Sequence, residues 1–128
     1  GTHNFTATTG NTFKIALYTS SATLGAGTTA FSSTNEITNS SGTAYTSGGA
    51  SLTSVTPTTD STTAVCDFAD VSFTSASFTA NGALIYNSSQ SNKAVAVIAF
   101  GGDKTVSSGT FTIQFPTADA TNAIIRLA

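Results

Sequence analysis

Short runs of β-branched and aromatic residues recur along this chain at spacings near ten residues, separated by Gly, Asn, Ser and Asp, and no convincing amphipathic helix interrupts them. Phe13-Lys14-Ile15-Ala16-Leu17-Tyr18 alternates large and small side chains, which puts Phe13, Ile15 and Leu17 on one face of a half-buried strand. Thr110 to Phe115 alternates in the same way, with Phe111, Ile113 and Phe115 inward, until Pro116 stops it. Leu52 to Val55, Thr62 to Phe68, Val71 to Phe78, Gly82 to Asn87 and Ala123 to Leu127 read as further strands, with turns around Pro57 and Asp60 and at Gly101-Gly102-Asp103. Ala94 to Phe100 is the most continuous apolar run and predicts a central strand buried on both faces, where Val97→Asp would be among the most damaging changes. This pattern predicts an all-β fold, a single antiparallel β-sandwich or jelly roll of about eight strands over residues 1–128.

Residues 20–50 break the pattern. Five glycines sit there among Ser and Thr, with apolar anchors only at Leu24, Phe31, Ile37 and Tyr45. We read this as a long loop excursion with one short helical turn near Asn35 and Glu36, since loops of this length inside a domain are usually functional or disordered. Residues 1–12 read as an arm.

Fewer than one residue in ten is charged, against roughly a quarter in ordinary domains, while Ser and Thr make up about a third of the chain. Few groups are left for acid-base chemistry, metal binding or phosphate recognition. The four cations Lys14, Lys93, Lys104 and Arg126 are isolated and form no basic stripe, so direct nucleic-acid binding is not expected. No apolar run reaches the roughly 20 residues of a membrane-spanning helix, and no membrane partner is expected. With 39% hydrophobic residues, nine Phe among them, the chain nevertheless has the apolar content of an ordered domain.

The candidate reactive groups are sparse. Cys66 stands alone in a strand-like run and reads as a small buried hydrophobe. His3 lies near an end and reads as an exposed terminal side chain rather than the oriented base of a triad. Asp67 and Asp70 are three residues apart and read as a solvated turn. Gly25-Ala26-Gly27 and Gly101-Gly102-Asp103-Lys104 lack the strand and helix start of a phosphate loop and read as turns. Acceptor patterns for glycosylation at Asn4, Asn39 and Asn87 are expected by chance in so Ser- and Thr-rich a sequence. No catalytic, cofactor-binding or metal-ligating residue is expected.

The wording of several segments carries more. Phe13 to Thr19, Tyr45-Thr46-Ser47-Gly48-Gly49, Gly82 to Asn87, Ala94 to Lys104 and Phe115-Pro116 together resemble a family of small virion structural proteins of tailed bacteriophages. The likeness spans nearly the whole chain, and members resemble this sequence preceded by a short N-terminal segment, which fits its beginning with Gly1. The resemblance implies a place in an extracellular phage particle assembled in the host cytoplasm, with the major capsid protein or another virion protein as partner.

Within a virion, a stable β scaffold, adaptable loops and little net charge suit a head decoration or cement protein. The alternatives are a tail, neck or fibre component contacting the host, whose recognition loops are also rich in Ser, Thr, Asn and Tyr, and a glycan-binding module. The interaction residues expected are Leu24, Phe31, Ile37 and Tyr45, because isolated apolar anchors in a polar loop need somewhere to bury. A homo-oligomer, with a trimer favoured, follows from the same reasoning.

Overall fold

A computed structural model describes residues 2–38 and 45–127. It is all-β, with antiparallel sheets and no helix among the described residues. The strands are β1 (Phe13–Tyr18), β2 (Ala50–Ser51), β3 (Ser54–Asp60), β4 (Thr63–Phe68), β5 (Val71–Asn87), β6 (Lys93–Ile113) and β7 (Ile125–Leu127). One sheet has the order β2-β1-β5-β6 and the other β3-β4-β7.

The first sheet is built on the pairing of β1 with the C-terminal half of β5, in an unbroken register from Phe13 opposite Asn87 to Tyr18 opposite Gly82. Alternation sorts the side chains. Phe13, Ile15 and Leu17 of β1 join Ala83 and Ile85 of β5 in the main apolar cluster, which also takes Phe68 from the second sheet. Phe5 stacks on Phe13 at 4.6 Å, and Phe13 meets Phe68 at 5.7 Å. On the opposite face Ala16, Tyr18, Leu84 and Tyr86 form a second cluster. Every residue of β1 except Lys14 is therefore buried, so β1 is covered on both faces rather than half-buried.

Several boundaries differ from those the sequence predicts. Val71 to Phe78 and Gly82 to Asn87 belong to one strand, β5, and the runs at Ala94 and Thr110 also belong to one strand, β6. Gly101-Gly102-Asp103 is not a turn between them. Gly101 takes φ 78°, and the register of the hairpin shifts between Ala80 and Gly82 as β6 passes this point, so the glycines bend the strand without ending it. Pro57 likewise lies inside β3, which is an edge strand, at a register shift between Val55 and Thr58. Asn35, in a turn with φ 62°, stands where a helical turn was expected.

The largest correction concerns Ala94 to Phe100. This run is not central: β6 is the edge of its sheet, none of its residues is fully buried, and Val97 is 37% exposed. Continuous hydrophobicity arises here because one face packs against the main cluster through Ala96, Ile98 and Phe100 while the other borders an open groove. The central positions belong to β1 and β5, whose outer face looks less apolar in sequence because two of its covering residues are tyrosines.

Candidate functional site: the fastened excursion over the first sheet

The 20–50 excursion returns to β1 and extends its free edge. Ile37 N donates to Leu17 O at 3.0 Å, Thr19 N donates to Asn35 O at 3.0 Å, and Tyr18 bridges to Glu36. This places Glu36 against the side of the sheet, where its carboxylate organises the far end of the loop. Oε2 accepts the Tyr45 hydroxyl at 2.6 Å and Gly48 N at 2.8 Å, and Oε1 accepts the Ser47 hydroxyl at 3.0 Å. The Tyr45 oxygen in turn accepts Leu17 N at 2.9 Å. One carboxylate thus ties Tyr45, Ser47 and Gly48 to the edge of β1.

Two more tyrosines act as posts. Tyr18 donates to Ser32 O at 2.7 Å and Tyr86 to Gly48 O at 2.6 Å, while Phe31 stacks on Tyr86 with centroids 4.7 Å apart. Burial raises the Tyr18 hydroxyl to about 12, with Glu36 adding to the shift. Tyr45 is raised much further, by burial first and then by its hydrogen bond to Glu36, and Tyr86 is raised by burial first and then by the nearby charge of Glu36. All three phenols stay protonated as donors across the ordinary pH range. Gly48 and Gly49 take φ 93° and 80°, and a Cβ on Gly49 would collide with the Ile15 carbonyl, so the chain can pass this close to β1 only as glycine.

The four expected interaction residues separate into two groups. Leu24 and Phe31 are half-buried against the outer-face cluster, whereas Ile37 and Tyr45 are 4% and 6% exposed and belong to the main cluster. All four pack against their own chain, Leu24 and Phe31 in part and Ile37 and Tyr45 fully. The surface left outward is polar: Ser32, Ser33, Thr34, Asn35, Thr38, Thr46 and Ser47 are exposed. Of the excursion, residues 39–44 lie outside the described residues. Glu36 and the tyrosine posts were missed from sequence, and only the lone Glu in an otherwise uncharged stretch could have signalled them.

The scattered reactive groups have structural partners. His3 is half-buried rather than exposed, with Nδ1 3.0 Å from the Asn87 amide and its ring beside Phe5 and Phe13. Asn87, fully buried, also donates to Asn11 at 2.9 Å and accepts from Ser89 N at 3.0 Å, which withdraws one of the glycosylation patterns into the interior. Asn39 lies outside the described residues. Asp67 accepts Phe68 N and Asp70 accepts Phe115 N, each at 2.8 Å. Cys66 is half-buried in β4, and burial pushes its thiol up. Among the described residues, no three of His, Cys, Asp and Glu come together as a metal-ligand group. Compared with protein-family models, curated proteins and solved structures, the chain finds no match in any of the three.

Proposed function

We propose that this chain is a non-enzymatic virion structural protein of a tailed bacteriophage, most readily a head decoration or cement protein that binds the capsid as a homo-oligomer. The resemblance of Phe13 to Thr19, Tyr45 to Gly49 and Ala94 to Lys104 to such proteins supports the setting. In this reading the two sheets, which share one apolar cluster, are the layers of a β-sandwich.

The observation that carries the role is the fastening of the excursion. A Ser-, Thr- and Gly-rich loop left free would lose about 1–2 kcal/mol per residue on ordering at a binding surface. Here Glu36, Tyr18, Tyr45 and Tyr86 hold it against the sheet in advance, with its polar side chains outward. Such a surface suits repeated docking through hydrogen bonds to neighbouring capsid subunits. A glycan-binding role fits less well, because Tyr18, Tyr45 and Tyr86 are all buried and none offers an open ring for a sugar to stack on.

The test is binding of purified protein to undecorated particles of the phage that encodes it, together with copy number relative to the major capsid protein in intact particles. Hundreds of copies, and loss of binding in Ser33→Arg/Thr38→Arg with an unchanged melting midpoint, support decoration. A handful of copies moves the protein to the tail, neck or fibre. Full binding by the double variant overturns the assignment of the surface.

A further inference from the structure

The outer edge of β6 is open where most sheet edges are protected. At its start Phe31 N donates to Asn92 O, Ala94 N donates to Thr29 O, and Ala30 bridges to Lys93, which closes the edge there. From Val95 onward no described strand lies beside it. Exposed edges are normally blunted by charge or Pro. Between Lys93 and Asp103 β6 carries neither.

Grooves flank this edge on both faces. On one side the Leu24–Thr28 loop stands off from Val95, Val97 and Ala99 across a groove of about 500 Å³. On the other, Ile98, Phe100, Phe111, Phe115 and Ile124 line an apolar groove of about 520 Å³. Both leave room for an incoming strand and its side chains.

We propose that this edge is a self-association site at which β6 of a second copy adds antiparallel, joining two four-stranded sheets into one. The sequence of the edge selects a copy of itself as the occupant. The pairing of β6 with β5 keeps one register from Ala96 opposite Ile85 to Ala99 opposite Gly82, and it is irregular on both sides, between Ile85 and Tyr86 and between Ala80 and Gly82. Val97 and Ile98 are the two inner residues of this run. A two-fold axis normal to the sheet makes one residue face its own copy. With Ile98 on the axis, Phe100 faces Ala96 and Val97 faces Ala99, a large residue against a small one at each pair, and Lys93 lies at the end nearest Asp103 of the second copy.

Neighbouring registers fit worse. An axis at Ala99 sets Ile98 against Phe100, and one at Val97 runs the added strand into Ala94, whose edge Thr29 already holds. Antiparallel pairing of like edges closes as a dimer, so this contact is two-fold where the sequence favoured a trimer. It is separate from the particle-binding surface proposed above, which is carried by the exposed polar residues Ser32 to Asn35, Thr38, Thr46 and Ser47.

Sedimentation velocity on the full chain over a concentration series tests the proposal, with charge placed at Val97 and Ala99, whose side chains are exposed in the monomer. Wild type should dimerise. Val97→Lys/Ala99→Lys places like charges opposite each other twice and should weaken the dimer about tenfold or more, whereas Val97→Lys/Ala99→Glu pairs opposite charges and should restore it. In a Cys66→Ala background, Ile98→Cys should form a covalent dimer on oxidation, because only a residue on the axis meets itself at disulfide distance, and Thr105→Cys should not. A wild type that stays monomeric throughout overturns the proposal. So does a natively folded Val97→Lys/Ala99→Lys variant that associates as well as wild type.

Discussion

Gly49 and Tyr45 show how single residues hold the excursion. Gly49 combines φ 80° with the Ile15 carbonyl where a Cβ would stand, so Gly49→Ala must displace β1 or the loop. Urea denaturation should show it destabilised by about 2 kcal/mol or more, by backbone strain and lost packing together. Tyr45→Phe keeps the ring between Phe73 and Phe78 but removes the oxygen that accepts Leu17 N and donates to Glu36. The buried Leu17 N and the half-buried Glu36 carboxylate each lose a bond, and the same measurement should give a loss of about 1–3 kcal/mol.

The raised phenols also set a pH dependence. Tyr18 ionises near 10 in the unfolded chain but at about 12 in the folded one, and Tyr45 and Tyr86 shift in the same direction. Above pH 10 the unfolded state loses these protons first, so it binds fewer protons than the folded state and stability falls with rising pH. Below pH 10 their contribution is complete. Thermal melts should show no tyrosine-linked change from pH 7 to 9 and a declining midpoint above 10, with a shallower decline in Tyr45→Phe.

Among the elements, β1 and the C-terminal half of β5 carry the fold, and β6 is its margin. Leu84 is fully buried between Ala16, Tyr18 and the covering excursion, so Leu84→Ala should lose about 2–5 kcal/mol through the cavity left behind. Val97, one strand away and directly opposite Leu84, is exposed to solvent on the groove side. Val97→Asp should therefore leave a soluble protein that melts cooperatively, destabilised by about 1 kcal/mol at most as a monomer. Denaturant midpoints of the two variants side by side will separate a central strand from an edge strand. Apolar content cannot make that distinction, because Ala94 to Phe100 is the more hydrophobic sequence and the less buried strand.

At the scale of the molecule, both faces of the first sheet carry apolar clusters. The second sheet packs on its inner face through Phe68, and the excursion covers its outer face through Leu24 and Phe31. Amide protection should follow this arrangement. Hydrogen exchange should be slowest in β1 and at Ala83–Tyr86, and faster along β6 beyond Val95, where outward amides lack a described partner. Dimerisation through the β6 edge would add protection at Ala96 to Phe100 alone, and comparison at low and high protein concentration reads that difference.

The strand-rich character of the chain was legible in its sequence, because a two-residue alternation such as that of Phe13 to Tyr18 is a local property that no tertiary contact needs to supply. The composition of the excursion and its four apolar anchors were legible for the same reason. Which strands lie at the centre was not, since edge and centre differ in neighbours rather than in residues, and the groove beside Val97 exists only when the excursion stands off from β6. The glycines at 101 and 102 signalled a change of direction, but whether the chain turns back or merely bends depends on the partner strand. The Glu36 network joins residues 17, 36, 45, 47 and 48, and the burial of His3 depends on Asn87 at the other side of the sequence. Such long-range hydrogen bonds leave no periodic trace, so only the folded chain could decide what the polar residues hold.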